Sequence, residues 1–256
     1  MASFFQRLFG SSSASAAAPA ATLAALEVDM HSHVLPGLDD GAETVEQSVE
    51  LLRALRELGY RKLIMTPHIM GDFYKNTPTG VRAALQQLQN AATAAGITDV
   101  ALECAAEYYL DEWLQQKIDS GEPLLSFGGD KKYLLFETSY INEPFNFSET
   151  VFNLKSAGYQ PVLAHPERYT YFYGRFDELA KVRENGVLLQ LNLNSLAGYY
   201  SAGAKRVAEK LIDAGLVDLV GTDAHNVKHT DTLLRKVLPT PYLQKVLALP
   251  LLNNSL

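Results

Sequence analysis

Cysteine and long apolar runs are nearly absent from this 256-residue sequence. Its one cysteine, Cys104, excludes an internal disulfide framework and fits a reducing compartment, so we expect a cytoplasmic location. No apolar stretch approaches the roughly 20 residues that a membrane-spanning helix requires, so no membrane insertion is expected. The net charge is −7 and there is no cluster of lysine and arginine, which argues against nucleic-acid binding.

The composition is otherwise ordinary for a globular protein, with 47% hydrophobic and 20% charged residues. The first 26 residues differ because they join a short apolar head, FFQRLF, to a tract rich in alanine and serine. We interpret residues 1–26 as a flexible low-complexity tail and residues 27–256 as a single domain. A secretory signal is the less favoured interpretation, because Arg7 interrupts the apolar stretch. An amphipathic docking peptide is a second alternative.

One pattern recurs along the rest of the chain, as in LRELGYRKLIMTPH and IDAGLVDLVGTDAH. An amphipathic stretch ends at a glycine, a short apolar run follows, and an ionisable residue comes next, which is typical of a helix followed by a buried strand. Thr44 with Gln47, and Thr77 before Pro78, are typical helix starts. Alternating helices and strands predict a parallel sheet with right-handed crossovers.

About seven strands can be counted, which favours a distorted (β/α)7 barrel over an open doubly wound sheet. The position of the ionisable residues supports this choice. They follow strand after strand along the whole chain, and a closed ring brings the carboxyl ends of all its strands to one mouth. In an open sheet the ends of the first and last strands would usually lie too far apart to share a site.

Eight ionisable residues follow these strands and a ninth, Asp40, lies in the first loop; several of the nine fall in the stretch VDMHSHVLPGLDDGAE. In His31 and His33 both imidazoles project from the same face of a strand, because side chains alternate with a period of two, and together they can hold one cation. Asp223 and His225 repeat the spacing near the other end of the chain. The nine candidate ligands are His31, His33, Asp40, His68, Glu107, Glu137, His165, Asp223 and His225.

Each candidate taken alone has an ordinary structural explanation, such as a hydrogen-bonded histidine or an aspartate in a turn. Taken together they predict a metal site, because burying them without a cation would cost several kcal/mol for each unpaired carboxylate. Nine ligands exceed what one or two ions require, so we expect three divalent ions. Mixed imidazole and carboxylate donors suit manganese, iron or zinc better than magnesium or calcium. Adjacent cations would lower the pKa of a bridging water and give a hydroxide nucleophile near neutral pH.

The ordered motifs DMHSH, PGLDDG, TPH, AAEYY, LLFE, AHPER and GTDAHN resemble the PHP (polymerase and histidinol phosphatase) superfamily. More narrowly, they resemble its bacterial protein-tyrosine phosphatases that are encoded with capsule and exopolysaccharide genes. The resemblance extends from Val28 to Asn226 and implies the PHP fold, a distorted (β/α)7 barrel with a trinuclear centre, usually of manganese. Matching the motifs implies one ion at His31, His33, Glu107 and Asp223, a second at Asp40, His68 and His225, and a third at Glu107, Glu137 and His165.

The resemblance also implies that Arg168, in HPER, is the arginine that binds phosphate. The alternative is a surface ion pair between Arg168 and Glu167. Relatives often carry a second arginine about five residues beyond the histidine of DAH, but this sequence has Thr230 there. We hypothesise that Lys228 or His229 replaces that cation at the phosphate. The alternative is that both residues face solvent on a loop.

The implied activity is that of a metal-dependent protein-tyrosine phosphatase in which metal-held hydroxide attacks phosphotyrosine. The implied partner is a phosphotyrosine protein or peptide, namely the C-terminal tail of a bacterial tyrosine kinase that controls polysaccharide export. One alternative is a small-molecule phosphatase of the histidinol-phosphate type, and another is a non-catalytic module that binds phosphotyrosine. An amidohydrolase is disfavoured by the extra acids, and Cys104 lacks the C-x5-R loop of cysteine-dependent tyrosine phosphatases.

Aromatic residues follow two of the predicted strands and suggest a slot for a phenyl phosphate. Packing of long loops in the core is the alternative explanation. The residues concerned are Tyr140, Phe145, Phe147, Tyr169, Tyr171, Phe172 and Tyr173.

Overall fold

The computed structural model describes residues 22–256. Within these residues, nine parallel strands form two sheets, of order β1-β2-β4 and β3-β5-β6-β7-β8-β9. The strands are β1 (Val28–Asp29), β2 (Lys62–Met65), β3 (His68–Ile69), β4 (Ala101–Cys104), β5 (Glu107–Tyr109), β6 (Tyr133–Glu137), β7 (Gln160–Ala164), β8 (Leu188–Asn192) and β9 (Leu219–Gly221).

The nine strands occupy seven positions, because two of the positions contain an interrupted strand. Thr66 and Pro67 separate β2 from β3, and proline weakens a strand because it has no N–H to donate. The pairing nevertheless continues across both interruptions. The Ala105 N–H donates to the Met65 carbonyl at 2.8 Å, and the Glu107 N–H donates to the Pro67 carbonyl at 3.1 Å.

Hydrogen bonds between the residues that follow β1 and β9 close the ring. The Asp223 N–H donates to the His31 carbonyl at 2.8 Å, and the His33 N–H donates to the Ala224 carbonyl at 3.0 Å. Ser32 and Ala224 form a parallel bridge at the same place. The predicted seven-position barrel is therefore confirmed, and the open sheet is excluded.

Eight helices cover the outside of the barrel in the described part of the chain. They are α1 (Val45–Glu57), α2 (Pro78–Ala94), α3 (Glu112–Asp119), α4 (Phe147–Ser156), α5 (Phe176–Glu184), α6 (Ala202–Asp213), α7 (Val227–Thr232) and α8 (Pro241–Leu247). The two predicted helix starts are confirmed. The Thr44 side chain accepts from the Gln47 N–H, and the Thr77 side chain accepts from the Gly80 N–H. No helix within residues 22–256 is long and apolar enough to cross a membrane.

The ordered structure begins earlier than the sequence predicts. Leu23 and Leu26, which we assigned to the tail, are buried in the core, and the Leu23 N–H donates to the Leu58 carbonyl at 2.7 Å. Gly59 allows this approach, since a Cβ there would lie 2.7 Å from the Ala24 nitrogen. The tail boundary after residue 26 is therefore wrong for these residues, because two leucines spaced three apart bury themselves against α1. Residues 1–21 of the predicted tail, including FFQRLF, lie outside the described residues.

The C-terminal segment covers the end of the barrel opposite the carboxyl ends of the strands. Asn253 is fully buried there, and its Nδ2 donates to the carbonyls of Val28 and Val220 at 3.0 and 2.8 Å. Its Oδ1 accepts from the Val220 N–H at 3.0 Å. One side chain therefore joins the first and the last strand of the ring.

Candidate metal centre

The first group of predicted ligands meets just beyond the ends of β1 and β9, at the start of β5. His31 Nε2 lies 3.2 Å from Glu107 Oε2 and 3.5 Å from Asp223 Oδ1. His33 Nε2 lies 3.3 Å from the same Asp223 oxygen and 3.5 Å from the same Glu107 oxygen. These residues come from opposite ends of the sequence, so only closure of the ring brings them together.

A second group surrounds Asp40, which lies in the loop between β1 and α1. Asp40 Oδ1 lies 3.6 Å from His68 Nε2 and 3.4 Å from His225 Nε2. The ring of His33 stacks on the ring of His225, with centroids 4.0 Å apart. Asp40, His68 and His225 thus meet as predicted, and a nitrogen of His33 lies within reach of the same point.

Glu107 lies at the centre of the remaining ligands. Its Oε1 is 3.0 Å from His165 Nε2, and its Oε2 is 3.2 Å from His68 Nδ1. Glu137 Oε1 lies 3.1 Å from the same His68 nitrogen, and Glu137 Oε2 lies 3.9 Å from His165 Nε2. The clusters of donors are therefore His31, Glu107 and His165 on one side, and His68, Glu107 and Glu137 on the other. The predicted division of ligands among three ions stays a prediction.

The chemistry of these donors fits divalent cations. His68 Nδ1 is buried and makes no hydrogen bond, although it lies beside two carboxylates. Burial lowers the pKa of His68, but the charges of Glu107 and Glu137 outweigh burial and raise that pKa to about 9. Burial raises the pKa of Glu107, but the charges of His31 and His68 hold it well below its ordinary value. The site favours positive charge, and a metal ion can supply it in place of protons.

Two residues that the sequence analysis passed over orient the histidines. Asp39 Oδ2 lies 2.8 Å from His33 Nδ1 and accepts from the His68 N–H at 2.9 Å. Gln190 Oε1 lies 2.9 Å from His31 Nδ1. Such partners fix the rotation of a metal-binding imidazole. The alternation of side chains along β8 could have indicated that Gln190 contacts a ligand. Asp39 was not recognised, because its neighbour Asp40 was already assigned as a ligand.

The backbone is strained at two of the ligands. His165 has a φ of 34° and Asp223 a φ of 48°, both in the left-handed region that favours glycine. Such conformations cost on the order of 1–3 kcal/mol each and persist where surrounding contacts fix them. His165 directly follows β7 and Asp223 follows β9 after one residue, and the turn at each place directs the side chain towards the other candidate ligands.

Arg168 lies beside the ligands and is held from three directions. Its Nη1 lies 2.8 Å from Asp223 Oδ2, and its guanidinium carbon lies 4.6 Å from the centroid of the Tyr140 ring and 4.0 Å from that of the Tyr200 ring. The alternative of a surface pair with Glu167 is wrong. Glu167 is buried and instead accepts hydrogen bonds from the Asn192 N–H at 3.1 Å and from the hydroxyl of Ser195 at 2.6 Å.

Tyr200 and Asn192 also hold Asp223. The Tyr200 hydroxyl donates to Asp223 Oδ2 at 3.3 Å, and Asn192 Nδ2 donates to the same oxygen at 2.8 Å. Tyr200 therefore contacts both a candidate metal ligand and Arg168. No local pattern in the sequence indicates these contacts.

Lys228 and His229 lie in α7, and the structure does not bring them to the wall of the cavity that Arg168 lines. Lys228 is exposed. His229 is buried, and its Nδ1 lies 3.0 Å from the Asp223 carbonyl oxygen and 3.3 Å from the His225 nitrogen. Their predicted contact with phosphate stays a prediction.

A cavity of about 450 Å³ opens above the ligands. Its outer wall consists mainly of Met70, Tyr74, Tyr109, Tyr140 and Ile141. The ring of Tyr74 stacks on that of His68, at 14° and 5.6 Å.

Of the predicted aromatic slot, only Tyr140 lines this cavity. Phe147, Tyr169 and Phe172 are buried in the core, and Phe145 is fully exposed. Tyr171 contacts the Thr138 hydroxyl at 2.7 Å, and Tyr173 contacts the Ser201 hydroxyl at 3.0 Å. The slot as predicted is therefore wrong, because the direction of each ring depends on packing between loops that are distant in sequence.

Residues 27–245 match the model of the CpsB/CapC family, described as capsular polysaccharide synthesis. The chain belongs to the CpsB/CapC family. Within this family it is 33% identical over 201 residues to the tyrosine-protein phosphatase YwqE of Bacillus subtilis (strain 168), a match that covers 78% of each chain. It is 25% identical over 206 residues to the tyrosine-protein phosphatase CpsB of Streptococcus pneumoniae, covering 78% of this chain and 83% of that relative.

Solved structures agree with the family assignment. The CpsB/CapC chain matches a structure from a study of YwqE of Bacillus subtilis and CpsB of Streptococcus pneumoniae, described as unique metal-dependent tyrosine phosphatases. The TM-score is 0.73 at 33% identity, over 84% of this chain and 89% of that one. An organophosphorus hydrolase from Deinococcus radiodurans matches with a TM-score of 0.53 at 14% identity, over 91% of this chain and 94% of that one, which shows a shared barrel fold only.

Proposed function

We propose that this member of the CpsB/CapC family is a metal-dependent protein-tyrosine phosphatase that hydrolyses phosphotyrosine. One observation carries the proposal. Imidazole and carboxylate donors surround Glu107 at the base of a single cavity, and Arg168 lies beside them in its wall. The names of the relatives support the same activity.

We propose that the site holds three divalent ions, with manganese as the first choice and iron or zinc as alternatives. The ligands would be the nine predicted residues, with Glu107 shared between ions. When bound, such ions neutralise phosphoryl charge and lower the pKa of water in the site. The buried, unpartnered Nδ1 of His68 supports an ion at that point.

The residues of the chain itself would bind and orient the substrate. Arg168 can donate to phosphoryl oxygens, since its guanidinium lies at the cavity and is kept in place by Asp223 and two aromatic rings. Tyr74 and Tyr109 in the outer wall would contact the phenyl ring and keep water away. A general acid is dispensable for a phenolic leaving group, which departs more readily than an alkoxide.

We propose that the substrate is the phosphorylated C-terminal tail of a bacterial tyrosine kinase that regulates capsule or exopolysaccharide synthesis. The description of the family as one of capsular polysaccharide synthesis supports this context. We also propose a cytoplasmic location, which the single cysteine supports.

The test compares substrates on purified protein that has been chelated and then reloaded with manganese, iron or zinc. We expect activity only after reloading, and a higher kcat/KM for a phosphotyrosine peptide than for histidinol phosphate. A higher kcat/KM for histidinol phosphate would favour the small-molecule phosphatase. Binding of the peptide without hydrolysis of p-nitrophenyl phosphate at any metal concentration would favour the binding module.

A variant measures the metal site independently of activity. Glu107→Gln keeps the shape of the central side chain but removes its charge. We expect elemental analysis to find fewer ions per chain than in the wild type. Asp72→Asn, an exposed change outside the site, is the control and should leave the metal content unchanged. Full metal content in Glu107→Gln would contradict the proposed ligand set.

A further inference from the structure

A groove of about 780 Å³ lies between α4 and α5, away from the candidate metal centre. Its apolar lining includes Phe147, Val151, Phe152, Val182 and Val187. Phe152 is 68% exposed, although a large aromatic ring gains free energy when it is covered. Apolar surface that forms a groove of this size is typical of an interaction site.

The groove lies next to the cavity above the candidate metal centre, and a single loop contributes residues to both. The loop between β6 and α4 forms the connection, because residues 138–141 line that cavity whereas Glu143 and Phe147 line the groove. Ile141 is 71% exposed and Phe145 is fully exposed along this loop. These two exposed apolar side chains, which we call the apolar path, therefore lie on the loop between the cavity and the groove.

Hydrogen bonds hold this path in place. The Tyr140 carbonyl accepts from the Thr170 N–H at 2.8 Å and from the Thr170 hydroxyl at 2.9 Å. Arg175 Nη1 donates to Glu143 Oε2 at 2.7 Å, which joins the loop to the start of α5. The exposed side chains are thus carried on an anchored loop.

We propose that the groove binds apolar side chains of the polypeptide that flanks the phosphotyrosine in the substrate protein. The inference rests on the proposed function. When the phosphotyrosine of a protein substrate lies in the cavity, the polypeptide on either side of it must extend over the surface. The apolar path gives that polypeptide a route to the groove. Glutamates and lysines both occur at the rim of the groove, so contact with apolar side chains, rather than net charge, would select the substrate.

The test uses phosphotyrosine peptides in which one phenylalanine is moved stepwise through a serine and glycine background on both sides of the phosphotyrosine. We expect positions on one side to lower KM about tenfold, the ratio that burial of one aromatic side chain can supply. Phe152→Asp should abolish this preference and leave kcat/KM on p-nitrophenyl phosphate unchanged. Leu234→Asp, a matched change at a side chain that is 54% exposed elsewhere, should keep the preference.

The inference is overturned if the wild type shows no positional preference, or if Phe152→Asp retains it. A p-benzoylphenylalanine in place of Phe152 identifies the occupant. Cross-linking to the peptide supports the proposal, whereas cross-linking to a second copy or to residues 1–21 of the chain overturns it. If p-nitrophenyl phosphate is hydrolysed and no position of phenylalanine matters, the groove inference alone fails. If no phosphotyrosine substrate is hydrolysed, the proposed function is wrong, and the groove inference that rests on it is wrong as well.

Discussion

At the scale of single residues, the candidate site depends on side chains that orient the ligands as much as on the ligands. Tyr200 shows this most directly, because its hydroxyl contacts Asp223 and its ring covers Arg168. The two contacts involve different parts of the side chain and can be removed separately. Metal binding and phosphate binding should respond to different substitutions at this one position.

Tyr200→Phe removes the hydroxyl but keeps the ring. We expect the manganese concentration for half-maximal activity to rise about threefold to tenfold, since one hydrogen bond to a ligand carboxylate is lost, while KM stays unchanged. Tyr200→Leu also removes the ring, so KM for a phosphotyrosine peptide should rise about fivefold through loss of the cation–π contact. Metal titration and steady-state kinetics separate the two effects. Equal changes in both parameters for both variants would contradict separate roles.

Asp39→Asn tests the support of His33 and His68. The substitution keeps the shape of the side chain but removes the charge that faces His33 Nδ1. Loss of such a partner typically lowers metal affinity or activity about 10–100-fold, and we expect a decrease in that range. Isothermal calorimetry of manganese binding measures it. An affinity equal to that of the wild type would show that Asp39 only shapes its turn.

At the scale of elements, the barrel brings strand ends close enough that some positions cannot carry a side chain. Gly221, at the end of β9, shows this constraint. A Cβ at Gly221 would lie 2.6 Å from the Cβ of His31 and 2.9 Å from Gln190 Nε2. The packing between neighbouring strands therefore fixes the position of a candidate ligand.

Gly221→Ala should destabilise the protein by about 1–3 kcal/mol, as expected when a closely packed site is overfilled. It should also weaken manganese binding, because His31 must move. Urea unfolding and metal titration measure the two effects. Gly174→Ala is the control, since no atom lies within 4 Å of a Cβ there, and it should change neither quantity. A stable Gly221→Ala protein with normal metal affinity would show that the strands adjust without moving the ligand.

At the scale of the whole molecule, the barrel is held closed at both ends by different means. At the mouth the ligands from the first and last strands converge, and at the opposite end Asn253 joins Val28 to Val220. Charged candidate ligands accompany the backbone hydrogen bonds at the mouth, whereas a neutral amide side chain makes the closure at the opposite end. The two closures should therefore respond differently to a metal chelator and to a C-terminal substitution.

Asn253→Ala leaves two buried carbonyls and one buried N–H without their partner. We expect the free energy of unfolding to fall by about 2–4 kcal/mol, because each unsatisfied group carries its desolvation cost. Asn254→Ala, which removes an exposed contact with the Ala25 carbonyl, should change it by less than about 0.5 kcal/mol. Urea denaturation compares the two variants. Similar small losses for both would mean that the C-terminal segment only covers the barrel.

Removal of metal tests the closure at the mouth of the barrel. If cations hold the ligands, a chelator should lower the Tm, and added manganese should restore it in a concentration-dependent way. The Asn253→Ala protein should show the same chelator-induced shift, because the two closures lie at opposite ends. Scanning calorimetry measures both. A Tm that is independent of metal would exclude a stabilising metal centre.

The identity of the candidate ligands and the order of the strands could be predicted because both are local properties of the chain. Eight of the nine residues follow a short apolar run, and the helix starts at Thr44 and Thr77 follow from capping residues. The tail boundary was misplaced, because burial of Leu23 depends on contact with Leu58. Tyr200 could not be identified for the same reason, since it acts on Asp223 and Arg168 in distant segments, whereas the alternation of β8 could have indicated Gln190.

The sequence by itself determined the repeating unit, the donor at each strand end and the resemblance to a metal-dependent phosphatase family. Hydrophobic periodicity and residue type decide these features within a few neighbouring positions. Only the tertiary structure decided that the ring closes between Asp223 and His31, that Tyr74 rather than Phe147 lines the cavity, and that a groove lies between α4 and α5. The direction of a side chain is set by the packing of distant segments, and no local pattern encodes it.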